Sequence, residues 1–317
     1  MKTLKIIACI LIFAFVSVQL ISCNLSEQPI HKYKRIKISG GTLDSEDSAL
    51  NKTVSKATKV EYNAKEAFAT TVPIYEINKR IVTDDELLQF AEIMGVNGEL
   101  KKYGAKTYMD TDTHVLNVID NSLYYHRNDY AKYEMTKSDE DLIREAKAIA
   151  EKLTILKGEY ECVGVVSTQR LEDSEKGNIV VSKRIAFRKL IDGNRIIGNE
   201  ICDFYFCGDG LYSISLELYD YSAVGEMELI PLNKAKEKIK TPDAFSITSD
   251  NGNDALSEKA DTLCVERVKL LYVNQYTQGC TIIQPVYNFI GTAATANESV
   301  GFSSRIIAVP EKYTYVE

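Results

Sequence analysis

From residue 83 onward the chain switches repeatedly between two hydrophobic periods. Apolar residues recur every three to four positions in three short stretches and at every second position in the runs between them, so the sequence predicts helices that each lead a series of strands. Thr83-Asp84-Asp85-Glu86 is a capping box, in which a hydroxyl and a glutamate three residues apart satisfy N–H groups that a helix start leaves open. Leu87, Leu88, Ala91 and Met94 follow on one face, and Gly95 is the stop. Ser138-Asp139-Glu140-Asp141 opens a second helix, with acids in its first turn and Leu142, Ile143, Ala146, Ile149, Ala150 and Leu153 at core spacing. Pro231-Leu232-Asn233 opens a short third helix, with Ala235 and Ile239 on its apolar face.

Strands are predicted at 106–109, 115–119 and 122–126 after the first helix, and at 160–171, 179–190, 197–207 and 211–221 after the second. A third set, 263–275, 281–292 and 301–309, follows the last helix. Asp120-Asn121, Asp192-Gly193 and Gly208-Asp209-Gly210 supply residues that tolerate the positive φ of tight hairpins. Strand alternation sets Cys202 and Cys207 on opposite faces, and Tyr212 and Leu216 on the same one. The expected fold is therefore α+β: three tandem units, 71–135, 136–225 and 226–317, each a helix packed on an antiparallel β-meander.

Within this repeat Arg184-Ile-Ala-Phe-Arg-Lys-Leu-Ile-Asp-Gly193 aligns loosely with Ile282-Ile-Gln-Pro-Val-Tyr-Asn-Phe-Ile-Gly291. The helix-leading Pro231-Leu-Asn-Lys-Ala, the long strand Val265-Glu-Arg-Val-Lys-Leu-Leu-Tyr-Val, the Gln284-Pro-Val-Tyr-Asn-Phe strand and the hairpin around Ile191-Asp-Gly complete the pattern. Over roughly residues 75–317 the arrangement resembles the PepSY and FTP domains and, more closely, the tandem units of YycH/YycI-type regulatory proteins of Gram-positive bacteria. The resemblance implies a PepSY/cystatin-like fold and a regulatory role through binding. YycH and YycI are held by a transmembrane helix through which they meet a sensor histidine kinase, and here the sequence departs from them.

The departure lies at the N-terminus. Lys2 and Lys5 precede an uncharged apolar run, Ile6 to Val18, which closes on Leu20-Ile21-Ser22-Cys23. This looks like a bacterial lipobox. It implies that residues 1–22 are a lipoprotein signal peptide recognised through Leu20, Ile21 and Ser22, and that Cys23 carries diacylglycerol as the first mature residue. The competing reading is an uncleaved single span, since Ile6 to Ser22 is just long enough to cross a bilayer. Both put the remainder outside the cytoplasm, at the cell membrane, and Asn24 after the cysteine leaves the outer membrane open if the envelope is Gram-negative. Residues 23–70 are rich in Ser, Glu, Lys, Thr and Gly with little apolar periodicity, and read as a flexible tether.

Composition narrows the partners. The formal charge of −7 falls to −9 once Lys2 and Lys5 leave with the signal peptide, which argues against nucleic acid, whose backbone demands a basic footprint. Cys162, Cys202, Cys207, Cys264 and Cys280 are odd in number and lack the close pairs of zinc sites, so they read as buried apolar thiols.

Catalytic chemistry is sparse. His114 and His126 fall in adjacent strands and could pair for metal or proton transfer, yet neither sits in a ligand motif. Met109-Asp-Thr-Asp-Thr-His114 and Ser249-Asp-Asn-Gly-Asn-Asp254 lack the ligand set of a calcium loop and read as turns. Asn51-Lys-Thr53 and Asn297-Glu-Ser299 match a glycosylation sequon that has no weight in a bacterial lipoprotein. The chain has 19 tyrosines and no tryptophan, clustered at Tyr124, Tyr125, Tyr130 and Tyr133, at Tyr212, Tyr219 and Tyr221, and at Tyr313 and Tyr315. Strand tyrosines cap a sheet face with wet hydroxyls, or they form a contact surface of large rigid area. The sequence is thus expected to be a non-enzymatic, lipid-anchored binding or regulatory protein without cofactor or metal, acting on an envelope protein or peptide. A solute-binding lipoprotein is the alternative, and an envelope hydrolase with an unrecognised site comes third.

Overall fold

The computed structural model describes residues 59–130, 133–173, 177–198, 201–239, 245–249, 261–274, 282–297 and 299–310. Leu20, Ile21, Ser22 and Cys23, most of the stretch read as tether, Cys280, Tyr313, Tyr315 and residues 250–254 lie outside them. The described chain opens with β1 (Lys59–Tyr62), β2 (Thr71–Lys79), α1 (Asp84–Ile93), β3 (Lys101–Tyr103), β4 (Lys106–Asp110), β5 (His114–Ile119) and β6 (Ser122–Arg127). Next come α2 (Asp139–Ala150), β7 (Glu159–Asp173), β8 (Gly177–Ile191), β9 (Asn194–Gly198), β10 (Cys202–Cys207), β11 (Gly210–Glu217) and β12 (Tyr219–Glu228). The last elements are α3 (Leu232–Lys238), β13 (Phe245–Ser249), β14 (Thr262–Asn274), β15 (Ile282–Ala294) and β16 (Ser299–Ile307).

These elements correct the expected fold. More than half of the described residues are strand, the helices have only 10, 12 and 7 residues, and the strands join in a mixed sheet instead of tandem helix-on-meander α+β units. The reason lies at β6. Its outer edge does not end a unit but pairs antiparallel with β11, Leu123 opposite Leu216 and Tyr125 opposite Ile214. An eight-stranded antiparallel sheet results, in the order β3-β4-β5-β6-β11-β10-β8-β7. Eight strands span about 34 Å at their usual spacing, and one helix is only about 10 Å wide. Both α1 and α2 are therefore drawn to the same apolar face. Leu87, Phe90 and Ala91 of α1 and Leu142 and Ala146 of α2 pack there against Met109, Leu116, Ile185, Phe204, Phe206 and Ile214.

Both helices begin as their sequences require. Thr83 caps α1 reciprocally with Glu86, at 3.2 Å from the Glu86 N–H to the hydroxyl and 3.1 Å from the Thr83 N–H to the carboxylate. Ser138 accepts from the Asp141 N–H to start α2. One detail of the expected helix face changes: Leu88 is 47 % exposed, and Phe90 takes the buried place. Just upstream of the α1 cap, Arg80 is buried; its guanidinium pairs with Glu86 and donates to the Ile155 carbonyl beyond α2, tying both helices to the end of β2.

The second part of the sheet runs β14-β15-β16-β13 antiparallel, with β1 and β9 pairing parallel to β14 on its other side. Its helix, α3, covers Val265, Val268, Tyr287 and Phe289 through Ala235, with Ile239 just beyond its end. Predicted strand 197–207 is split because β9, after turning at Asp192-Gly193 (φ 50° and 72°), leaves β8 for β14, and β10 starts anew. Predicted strand 211–221 is likewise split at Leu218, after which β12 pairs with β2. The stretch read as tether contributes β1. Where β2, β9 and β12 meet, Tyr75, Ile77, Ile196, Tyr219, Tyr272 and Ile283 form a separate apolar cluster.

Candidate functional site

With both helices on one face of the eight-stranded sheet, alternation leaves the other face to a different set of side chains. On β8 the alternate residues are Arg184, Ala186 and Arg188; on β10 they are Asp203 and Tyr205, and on β6 Tyr124 and His126. Register brings them together, since Asp203 stands opposite Ala186, and Tyr205 opposite Arg184. Asp203 is buried and takes ion pairs from both guanidinium groups, 3.4 Å to Arg184 and 3.3 Å to Arg188. Arg188 also donates to the Phe187 carbonyl at 2.8 Å. A carboxylate held between two arginines satisfies the rule that buried charge must be paired.

Aromatic rings continue the network across the sheet. Tyr205 reaches Tyr212 at 6.2 Å between centroids, Tyr212 stacks on Tyr130 at 4.3 Å, and both turn an edge to His126, which lies parallel to Tyr124. Burial first, then the charge of Asp203, pushes the Tyr205 hydroxyl above its ordinary pKa, although Arg184 opposes the shift. The hydroxyl stays protonated at neutral pH and can donate. Near the same face Ser213 donates to the Tyr125 carbonyl at 2.8 Å and fixes β11 on β6.

The structure separates several residues that the sequence grouped. Tyr212 and Leu216 do not share a face: the register slips between Tyr205 and Phe206, so Tyr212 is the extra residue of a bulge and turns to the open side while Leu216 is in the core. His114 and His126 are no pair, because His114 stands opposite Arg127, its ring stacks on Tyr125, and His126 belongs to the other face. Tyr125 is buried beneath the helices, whereas Tyr219 and Tyr221 sit at the junction cluster. Asp110 to His114 is a turn closed on itself by Thr111 and His114. Among the described residues no group of His, Cys, Asp and Glu could hold a metal ion, and no helix is long and apolar enough to cross a membrane.

Among the described residues Cys162, Cys202, Cys207 and Cys264 are not joined in disulfides. Cys202 belongs to the helix-side core and Cys207 does not, in accord with their odd separation. Cys207 donates to the Asp209 carboxylate at 2.7 Å, and burial together with this bond pushes its pKa up to about 11. That is the opposite of an activated nucleophile. Next to it Gly208 is required, because a Cβ there would meet the Tyr133 side chain at 2.8 Å and the Glu134 carbonyl at 3.1 Å.

Arg184, Arg188, Asp203 and Tyr205 were not singled out by motif. The signal present in the sequence is the polar set at even spacing inside the apolar strands Arg184-Ile-Ala-Phe-Arg188 and Cys202-Asp-Phe-Tyr-Phe206. What those strands could not reveal is that β11 pairs with β6.

No protein-family model matches the chain, and no curated protein matches it in sequence. Among solved structures, an uncharacterised protein from Eubacterium rectale ATCC 33656 is similar with a TM-score of 0.47 at 11 % identity, over 82 % of this chain and 90 % of that one. YycH from Bacillus subtilis is similar with a TM-score of 0.37 at 10 % identity, over 72 % of this chain and 52 % of YycH, so the chain spans about half the length of that protein. The chain thus has distant structural similarity to YycH and to an uncharacterised protein, and no family is assigned to it.

Proposed function

We propose that this chain is a non-enzymatic binding protein of the cell envelope, anchored through diacylglycerol on Cys23, that engages an envelope protein or peptide through the open face of its antiparallel sheet. The observation that carries the reading is the part of this face that reaches the surface, Tyr124, exposed, with His126, Tyr130, Tyr212 and Tyr205 half-buried beside it, seated on the buried ion pairs of Asp203 with Arg184 and Arg188. Tyrosine and arginine are the residues that dominate binding energy at protein interfaces, because they offer large area and several hydrogen bonds at low entropic cost. Membrane attachment adds effective concentration toward any partner on the same surface.

Two experiments test the two halves of the proposal. A photo-crosslinking amino acid at Tyr124 is expected to trap an envelope protein in intact cells, and the same probe at Leu88 on the helix side is not. Equal trapping at both positions, or turnover of an envelope substrate by the purified chain with nothing trapped, sinks the binding reading. For the anchor, Cys23→Ser is expected to abolish lipid labelling and leave an unprocessed precursor; normal acyl labelling of that variant overturns it.

A further inference from the structure

Residues 59–70 lie within the stretch whose composition reads as tether, yet they dock on the second part of the sheet. β1 is only four residues long and runs parallel to β14, Lys59 opposite Thr262 and Tyr62 opposite Val265. The Asn63 N–H extends the ladder to the Val265 carbonyl at 2.9 Å. Lys59 and Glu61 face solvent and pair with each other at 2.6 Å, while Val60, Tyr62, Ala64 and Phe68 pack on the apolar cluster under α3. Phe68 meets the Tyr287 ring at 5.2 Å between centroids.

α3 leans on this crossing. A helix of seven residues does not hold without tertiary contacts. Its N-cap Pro231 has no side-chain hydrogen bond, and the Ile239 N–H reaches the Lys236 carbonyl only at 3.4 Å. The Tyr62 hydroxyl donates to the same carbonyl at 2.8 Å, and the Lys236 ammonium lies 4.7 Å from the centre of the Tyr62 ring. Burial pushes that hydroxyl's pKa up to about 12, so it stays a donor. Before the helix, the Leu229 N–H donates to the Thr70 carbonyl at 2.8 Å.

We propose that residues 59–68 and α3 form a latch: they open together and uncover the β14 edge and the apolar cluster beneath, while the eight-stranded part of the sheet stays closed. A four-residue ladder is a weak hold beside β2, all nine residues of which pair with β12. Elements with short ladders and few buried contacts are the first to open. Ala235 and Ile239, both 0 % exposed, are buried in the same cluster that Tyr62 and Phe68 cover, so strap and helix share one packing surface. Once Tyr62 leaves, the last turn of α3 loses its 2.8 Å partner as well. No residue of 59–70 or 229–239 belongs to the helix-side core of the eight-stranded part, so that core is untouched by the opening. The edge set free is long. β9 holds β14 only from Tyr272 to Asn274, and between there and β1 no described strand pairs with β14 on that side. Whatever acts on the chain before residue 59 reaches the fold through this latch; that it is the membrane rests on the anchor of the proposed function.

Hydrogen exchange of the full chain, read peptide by peptide by mass spectrometry, tests the latch. In the wild type, 59–68 and 232–239 are expected to open at one common rate, faster than β10. Tyr62→Phe removes one hydroxyl and is expected to speed exchange in both segments about fivefold, as loss of one hydrogen bond does. Phe68 makes no hydrogen bond to α3, yet Phe68→Ala is expected to speed exchange in α3 about tenfold, with β6, β10 and β11 unchanged. Acceleration of α3 without 59–68, or of 59–68 without α3, overturns the proposal. So does acceleration that spreads equally to β10, which is global unfolding. Should Phe68→Ala fail to fold, Tyr62→Phe still decides. None of these readings needs lipid on Cys23, so they stand or fall apart from the anchor.

Discussion

In β10 the side chains of Cys202, Phe204 and Phe206 point to the helices and are 2, 0 and 0 % exposed, while Asp203 and Tyr205 between them point the other way. The helix-side face coheres through apolar burial, which is non-directional and tolerates exchange of similar shapes. The open face coheres through partners that depend on one another: Asp203 on two arginines, Tyr205 on Arg184 and Tyr212. One strand therefore gives the sheet apolar packing on one side and a paired polar network on the other.

The largest separation of the two faces is expected between neighbours in β10. Phe204→Ala removes a fully buried ring from the helix-side core and is expected to cost about 3–5 kcal/mol. Tyr205→Phe keeps the ring and loses one hydroxyl contact, for about 1 kcal/mol. Urea unfolding measures both. Equal losses would mean that the faces are not energetically distinct.

Asp203→Asn ranks next. It leaves Arg184 and Arg188 without the carboxylate that both engage, and removing one partner of a buried ion pair typically costs about 3 kcal/mol or more. Arg188→Met added to Asp203→Asn is expected to recover part of the loss, since an apolar side chain needs no counter-ion. A further loss in the double variant would show that Arg188 packs for reasons other than Asp203.

These faces were unequally legible in the sequence. Local signals with a fixed mechanism read correctly: the Thr83–Glu86 box, the Ser138 cap and the Asp192-Gly193 turn all form as their spacing requires. The pairing of β6 with β11 was not legible, because they are separated by α2 and four strands, and their edges carry no code beyond alternation. The α+β units failed at that point. The strand Ile282-Ile-Gln-Pro-Val-Tyr-Asn-Phe is apolar almost without alternation, and it is buried on both faces between β14 and β16. That pattern belongs to a sheet interior and not to a one-sided meander. Tyr212 was misplaced because a bulge is invisible to period-two counting.

Acid is expected to act on the helix side through Glu86. Burial alone would raise the Glu86 carboxyl, but the Thr83 N–H and hydroxyl and the Arg80 guanidinium together hold its pKa below the ordinary value. A carboxyl depressed in the folded state contributes stability that is full above its unfolded value of about 4.3 and is lost as the pH falls through the folded value. The midpoint is expected to decline over that acidic interval, and Glu86→Gln is expected to be less stable at neutral pH with a shallower decline. An identical acid profile for wild type and Glu86→Gln would remove this pair from the account.

The smallest effect on stability should come from Tyr124, and it is the most telling about the open face. Tyr124 and Tyr125 are adjacent in β6, one 39 % and the other 3 % exposed. Tyr125 packs with Phe90 of α1 at 6.2 Å between ring centroids and belongs to the core, so Tyr125→Ala is expected to cost roughly 3 kcal/mol or more, as large-to-small changes of buried rings do. Tyr124 has only its stacking on His126 and its cross-strand neighbours to lose. Tyr124→Ser should stay within about 0.5–1 kcal/mol of wild type, the range for half-exposed strand positions. With the photo-crosslinking residue moved to Tyr130, which stacks within the same ring cluster, Tyr124→Ser is nevertheless expected to abolish capture of the envelope protein, at unchanged midpoint. Undiminished capture by Tyr124→Ser, with crosslinks retained elsewhere on the face, would show that the aromatic cluster serves packing alone and that the two faces differ in composition but not in role.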